Sequence, residues 1–162
     1  MAYSRGRFAL TIAVRRGGDA DRSFVLDLGK RVAMDSVPSS RWATPGLVEL
    51  AYERLVDFVV GQSHEILVAG DGSADLGFLL LLDSLPDEVT LGPQAFVAYM
   101  AVEPEARRRG IGTALLLEAE RIARERGLLI LAMMVTEENH PARALYDRAG
   151  FQTERRLMSK AL

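Results

Sequence analysis

Two clusters in this chain carry residue types that chemistry can use. The first is Arg107-Arg108-Arg109-Gly110-Ile111-Gly112, three like charges running into two glycines where an amphipathic helix begins. A helix N-terminus has about four unpaired N–H groups and roughly half a positive charge from the aligned peptide dipoles. Glycines at 110 and 112 remove side chains, so an anion can approach those N–H groups. The arginines would repel one another and the helix end, and a bound polyanion reverses the sign of both effects. Pyrophosphate suits the arrangement, being multidentate and small enough for one turn of backbone. The plainer alternative is a solvated loop with two turn glycines. The second cluster is Asn139-His140-Pro141-Ala142-Arg143-Ala144-Leu145-Tyr146, followed by Gly150-Phe151. Asn139 can cap a short helix, Pro141 fits its first turn and Gly150 ends it. Tyr146 is a phenol that could move a proton, although a lone helical tyrosine is more often a packing residue.

Several chemistries are excluded. The chain has no cysteine, which removes disulfides, thiolate metal sites and a cysteine nucleophile. His64 and His140 are the two histidines, too few for a histidine-rich metal site, and no metal is expected. A dinucleotide fingerprint would need glycine where Leu115 stands, and no Gly-Lys-Ser/Thr triplet marks a nucleotide phosphate loop. The formal net charge of −2 gives no reason to expect nucleic acid as partner. The longest apolar runs are too short to span a bilayer, so no membrane partner is expected. The N-terminal run Phe8-Ala9-Leu10-Thr11-Ile12-Ala13-Val14 reads as a strand, not a leader, and a cytoplasmic location follows as the expectation.

These clusters need elements to hold them. With 162 residues, 49% of them apolar, the chain is expected to fold as one domain over 1–162. Residues 6–17 read as a strand ending in a Gly-Gly turn. Helical spacing runs from Asp19 to Met34, and Thr44-Pro45 opens a second helix that stops near Gly61. His64 to Gly70 and Leu76 to Asp83 flank a turn cluster and read as an antiparallel hairpin. Gln94 to Val102 is a further strand, followed by the Arg/Gly loop and a helix over 110–126, with Ile111, Leu115, Ala119 and Ile122 as its buried stripe. The run 128–135 is apolar at every position, which suits a central strand covered on both faces. A short helix from Pro141 to Arg148 and a last strand from Phe151 to about Lys160 complete a β-α-α-β-β-β-α-β-α-β order. The expected class is α+β, with a mixed central sheet and helices on both faces.

Both clusters, in this order, resemble the GNAT superfamily of N-acetyltransferases. That family's pyrophosphate motif, Q/R-x-x-G-x-G/A, is matched by Arg107 to Gly112. Its later motif, N-x-x-A-x-x-L-Y-x-x-x-G-F, is matched at Asn139, Ala142, Leu145, Tyr146, Gly150 and Phe151. The resemblance is specific from about Val97 to Phe151 and rests on element order before that. It implies acetyl-coenzyme A as co-substrate, with the pyrophosphate on N–H groups of roughly Arg108, Arg109, Gly110, Ile111, Gly112 and Thr113 and the pantetheine arm along the edge of strand 94–102. A backbone N–H near Ala101 or Val102 would polarise the thioester carbonyl. An amine would attack directly, and Tyr146 would protonate the departing thiolate, a phenol near pKa 10 serving a thiol near about 8.5. Asn139 would hold the coenzyme arm or cap its helix.

The sequence departs from the family at the general base. Some members place a glutamate inside the fourth strand, and here Ala95 to Val102 contains no carboxylate. Glu103, just beyond, is the first candidate, and a water chain to bulk is the alternative. The acceptor is a small-molecule or peptide amine left unidentified, and the resemblance also admits a homodimer. Two rival readings remain: a catalytically silent module that senses coenzyme A or an acyl derivative, and a phosphate-bearing ligand or non-acetyl donor held without acetyl transfer. Acceptor choice is expected from the first two helices and the loop 84–93, where Asp83, Asp87 and Glu88 could attract a cation.

Overall fold

The computed structural model describes residues 11–162. Residues 6–10 of the expected first strand lie outside that range. Within it, β1 (Ala13–Arg16), β2 (His64–Gly70), β3 (Asp75–Leu82), β4 (Ala95–Val102) and β5 (Leu131–Met133) form one sheet in sequence order. Neighbours are antiparallel except β4 and β5, which run parallel. The helices are α1 (Arg22–Val32), α2 (Pro45–Val60), α3 (Ile111–Glu125) and α4 (His140–Arg148). Single 3-10 turns flank α1 at Asp19–Asp21 and Ala33–Ser36, so the expected helix over 19–34 is one α-helix with a tightened turn at either end. Thr44 caps α2 through its hydroxyl, which accepts from the Leu47 N–H at 3.4 Å with Pro45 in the first turn.

The period of two along each strand sorts the core into two layers. Ile66 and Val68 of β2, with Phe78, Leu80 and Leu82 of β3, pack against Val25, Leu28, Tyr52, Val56 and Val59 of α1 and α2. Leu67, Ala69, Leu79 and Leu81 face the other way, onto Ile111, Leu115, Leu116, Ala119 and Ile122 of α3, with α4 beside it. Helices therefore cover both faces of an α+β sheet. Each such buried aliphatic side chain stabilises by about 1.5–3 kcal/mol, whereas an exposed ion pair contributes about 0–1 kcal/mol. The arginine-carboxylate pairs described below thus position parts of the surface more than they hold the fold.

Two expectations are corrected at the C-terminal side. The strand covered on both faces is β3, whose residues Phe78 to Leu82 are all buried. The run 128–135 supplies only the three-residue β5 at the sheet edge, with Leu129 94% and Met134 83% exposed. Apolarity at every position marks a buried strand only where helices overlap both sides of it, and at β5 they do not. Nor does Phe151 to Lys160 form a strand: residues 152–162 are exposed and join no ladder. The alternation there offers no apolar face, since Gln152, Glu154, Arg156 and Lys160 share one side and Thr153, Arg155 and Ser159 the other.

Inside the α1/α2 layer, Gly29 permits a close contact. A Cβ at 29 would lie 2.0 Å from the Tyr52 ring. That ring is held from behind by Tyr99, with centroids 4.7 Å apart, and its hydroxyl donates to the Val25 carbonyl at 2.9 Å. Helix propensity alone would favour alanine at 29 by about 0.5–1 kcal/mol. Overpacking costs about 1–3 kcal/mol and wins. Gly29→Ala should therefore lower stability in urea denaturation, and an unchanged or raised midpoint would show that the α1–Tyr52 contact is looser than this.

Candidate active site

The site begins where β4 leaves β5. Ala95, Phe96 and Val97 pair with Leu131, Ala132 and Met133, and the ladder ends there. On the other side of β4 the register to β3 shifts between Leu80 and Leu81, pairing Tyr99 and Val97 and leaving Ala98 as an extra residue. Such a bulge bends and twists a strand. Its effect on the faces is plain: Ala98 and Tyr99 both turn toward α1 and α2, while Val97 and Met100 turn toward α3 and α4. Past Val97 the edge of β4 that would face β5 is open.

Alternation decides which groups occupy that open edge. The Glu103 N–H donates to the Leu76 carbonyl at 2.8 Å, so Glu103 and Leu76 are a hydrogen-bonded pair of the β3–β4 ladder. In antiparallel pairing the next such pair is two residues away, Ala101 with Phe78. Met100 and Val102 therefore present their backbone groups to the gap, and the Val102 carbonyl accepts from Arg107 Nε at 3.4 Å. Of the two expected donors, Val102 lies on the open edge. Ala101 is corrected: its N–H is directed into the ladder with β3.

The loop from Glu103 to Ile111 supplies the second wall. A single 3-10 turn over Pro104–Ala106 is followed by Arg108 at φ 63 and Gly110 at φ 85, both left-handed. The N–H groups of Arg108, Arg109, Gly110, Ile111, Gly112 and Thr113 have no acceptor among the described residues, and the first donor of the α3 series to be satisfied is Ala114, by the Gly110 carbonyl at 2.9 Å. Consecutive N–H groups free at a loop and helix start form a concave anion cradle. The two glycines act differently. Gly110 is needed for its left-handed backbone, with nothing within 4 Å of a Cβ there, whereas a Cβ at 112 would come 2.8 Å from Leu145 Cδ2 of α4. The second glycine lets α3 and α4 approach.

The three arginines are less exposed to mutual repulsion than their spacing suggests. Arg107 pairs with Asp35 at 2.9 Å and Arg109 with Asp71 at 3.0 Å. The Asp71 carboxyl, held by the Ser73 hydroxyl and N–H and then by Arg109, ionises well below the usual carboxylate range. Arg108 makes no ion pair among the described residues. Internal counter-ions thus quiet two of the charges, and the cradle rests on backbone N–H groups with Arg108 as the free cation.

Across the gap, Asn139 Oδ1 accepts from the Ala142 N–H at 3.3 Å and caps α4. Tyr146 lies half-buried on α4 against Phe151, ring centroids 5.9 Å apart. Burial, and then the neighbouring Tyr99 phenol, push its pKa up to about 12. Tyr99 is likewise raised, first by burial, with Ser36 pulling the other way. Two protonated phenols from opposite faces of the sheet therefore meet at the opening of β4. Glu103 is committed elsewhere: Arg31 of α1 grips both its oxygens, at 3.0 and 2.6 Å. The expected general base is in this structure one half of a bidentate ion pair.

The segment after the 3-10 turn at Ala33–Ser36 is strapped to the exit of β5, with Thr136 Oγ1 donating to the Ser36 carbonyl at 2.5 Å and the Ser39 N–H and hydroxyl donating to Glu138 at 3.0 and 2.7 Å. These partners sit about a hundred residues apart and carry no local pattern. By contrast Asp83, Asp87 and Glu88 stand at the opposite end of β4, bound to Arg126 and Arg155. They do not border this site.

A family model described as the Acetyltransferase (GNAT) family matches residues 39–151. The chain belongs to that family. Among curated relatives, the GNAT chain is 39% identical over 87 residues to an aminoglycoside N(6')-acetyltransferase type 1 of Klebsiella aerogenes, covering 53% of this chain and 57% of that protein. It is 41% identical over 61 residues to a mycothiol acetyltransferase of Clavibacter michiganensis, covering 38% of this chain and 20% of that one. These matches thus span less than two thirds of either relative's length. Among solved structures, a protein described as a putative acetyl transferase from Pyrococcus furiosus superposes with a TM-score of 0.79 at 25% identity, covering 94% of this chain and all of that one. Both motif clusters fall inside the matched region.

The Tyr146 phenol gives this arrangement a measurable signature. A folded-state pKa of about 12 against an ordinary value near 10 means the phenol stays protonated where an exposed tyrosine ionises. The sign follows: its contribution to stability is complete below about pH 10 and is lost as pH rises toward the folded-state value. In a spectrophotometric titration the phenolate of Tyr146, isolated as the difference between wild type and Tyr146→Phe, should appear above the range of a free tyrosine. Ionisation at the ordinary value would place the ring in water.

Proposed function

We propose that the protein transfers an acetyl group from acetyl-coenzyme A to a primary amine without a covalent enzyme intermediate. The observation that carries the reading is the run of six free N–H groups, Arg108 to Thr113, standing beside the open edge of β4. A pyrophosphate suits the first and an extended amide-bearing arm suits the second. The two together fit a long ligand that carries both.

The roles of the residues follow from placement. Arg108, Arg109, Gly110, Ile111, Gly112 and Thr113 offer backbone N–H groups to phosphate oxygens, with Arg108 adding its charge. Arg107 acts through Asp35 and the Val102 carbonyl as a brace for the loop. The Met100 and Val102 backbone takes the arm, and an N–H on that edge polarises the thioester carbonyl. When the amine nitrogen bonds to the acetyl carbon, the carbon–sulfur bond breaks and the sulfur leaves with the electron pair. Tyr146 donates the proton that the sulfur takes. Burial raises its pKa, so the phenol is protonated when the amine attacks and hydrogen-bonds the leaving sulfur as negative charge develops there. The amine sheds its own proton to water, because Glu103 is held by Arg31. Asn139 caps α4 and thereby fixes Tyr146.

Calorimetric titration with acetyl-coenzyme A tests the cradle. Wild type should bind in the micromolar range, while Gly110→Asp should abolish binding by placing a carboxylate among the N–H groups and straining the left-handed backbone. Arg108→Ala should weaken binding about two- to fivefold, as one exposed charge contributes about 0.3–1 kcal/mol. No binding by folded wild-type protein would sink the acetyl-transfer reading. Tyr146→Phe should lower kcat about 10²- to 10⁴-fold with binding intact, the usual contribution of a placed proton donor. Full activity in that variant would return the tyrosine to a packing role. Binding without transfer to any amine would favour the sensor reading.

A further inference from the structure

Two adjacent residues at the end of the 3-10 turn after α1, Asp35 and Ser36, reach opposite walls of the site. The Asp35 carboxylate accepts from Arg107 Nη2 at 2.9 Å, on the loop that leads into the six free N–H groups. The Ser36 carbonyl accepts from Thr136 Oγ1 at 2.5 Å, at the exit of β5 that leads into α4 and Tyr146. Between these walls, the Ser36 side chain meets the Tyr99 phenol of β4. We propose that Asp35 is a positioning residue that ties the anion loop to the β5–α4 wall, so that filling the cradle favours the closed strap. The proposal rests on the acetyl-transfer reading above.

The path between the walls is short. Arg107 is gripped twice, by Asp35 and, through Nε, by the Val102 carbonyl at 3.4 Å, so it moves with the loop and with the open end of β4. Its neighbour Arg108 stands at φ 63, a left-handed backbone that a residue with a side chain rarely adopts without support. An anion on the N–H groups of 108–113 supplies that support and holds Arg107 within reach of Asp35. Glu103 gives the loop a second tie to α1, but Arg31 divides its guanidinium between Glu103 and Asp27, so that grip can loosen without stranding the arginine. The Asp35 carboxylate has Arg107 as its one ion-pair partner among the described residues. The element with two states is the strap, whose bonds join mostly exposed groups and open at little cost. A ligand that favours one state shifts such an equilibrium. Linkage makes the effect reciprocal, so the closed strap tightens coenzyme binding by the same factor. A strap that served only as scaffold would be equally closed with the cradle empty.

Amide hydrogen exchange read by mass spectrometry, with and without saturating coenzyme A, tests the tie, and calorimetry on the same samples reports binding. In wild type, coenzyme A should slow exchange over 106–113 and also over 37–42 and 134–142. The slowing over 134–142 should be about two- to fivefold, the reach of one exposed ion pair. In Asp35→Asn the slowing over 106–113 should persist while that over 134–142 is lost, and coenzyme A should bind about two- to fivefold more weakly. Asp35→Glu, which keeps the carboxylate, should behave as wild type. Both variants change a side chain that is half exposed, so the fold should stand in each. Thr136→Val cuts the far end of the path and should also weaken coenzyme A binding, by no more than the same factor. Wild type that binds coenzyme A without slowing over 134–142 overturns the proposal. So does Asp35→Asn that slows there as wild type does, since direct contact with the ligand would then account for the protection. If coenzyme A does not bind, the acetyl-transfer reading falls and this proposal with it, and the calorimetry distinguishes the two failures.

Discussion

The ladder between β4 and β5 lasts three residue pairs, and the free edge it leaves is the constraint on which the rest of the site depends. Had pairing continued to Val102, the backbone groups of Met100 and Val102 would be consumed and no extended ligand could pair there. The bulge at Ala98 reinforces the divergence by kinking β4 at the point where β5 is lost. It also rotates Tyr99 to the face opposite Met100. A single extra residue thus leaves an open backbone edge on one side of β4 and turns the Ala98 and Tyr99 side chains together toward α1 and α2.

Around that opening, charge is used locally. Arg31, Arg107, Arg109 and Arg143 each hold a carboxylate from a different part of the chain, joining α1 to β4, the α1–α2 segment to the anion loop, the β2–β3 turn to the same loop, and α4 to the β5 exit. None contributes much to stability at its exposure. Their effect is to fix the loops that meet at the gap and to leave the backbone N–H groups as the main unsatisfied electropositive feature.

Much of this was legible in the chain. The helices, the hairpin and the Arg/Gly loop follow from periodicity and turn residues, and the two motifs carry the family resemblance in the chain itself. Boundaries shifted by a few residues where 3-10 turns replace helix ends. Three things were not legible. The bulge carries no glycine or proline, since Ala98 is unremarkable in a strand. The pairing of Glu103 with Arg31 and of Arg107 with Asp35 joins residues seventy-two apart, beyond any local pattern. The apolar run 128–135 misled because hydrophobicity reports burial only when the neighbouring layers are known. The C-terminal residues lack an alternating apolar face, which the chain itself shows.

The strap from Ser36 and Ser39 to Thr136 and Glu138 has a consequence for how the protein opens and assembles. It consists of three hydrogen bonds between mostly exposed groups, with Val37 and Pro38 between them only partly buried, so its opening free energy belongs toward the low end of the range within a native fold. The helices on either side can stay packed while it parts. During folding the strap closes a loop of about a hundred residues, an entropy cost its own bonds cannot offset until both sheet layers are in place. The corner where the α1–α2 segment meets the β5 exit is therefore expected to close late in folding and to open at little cost.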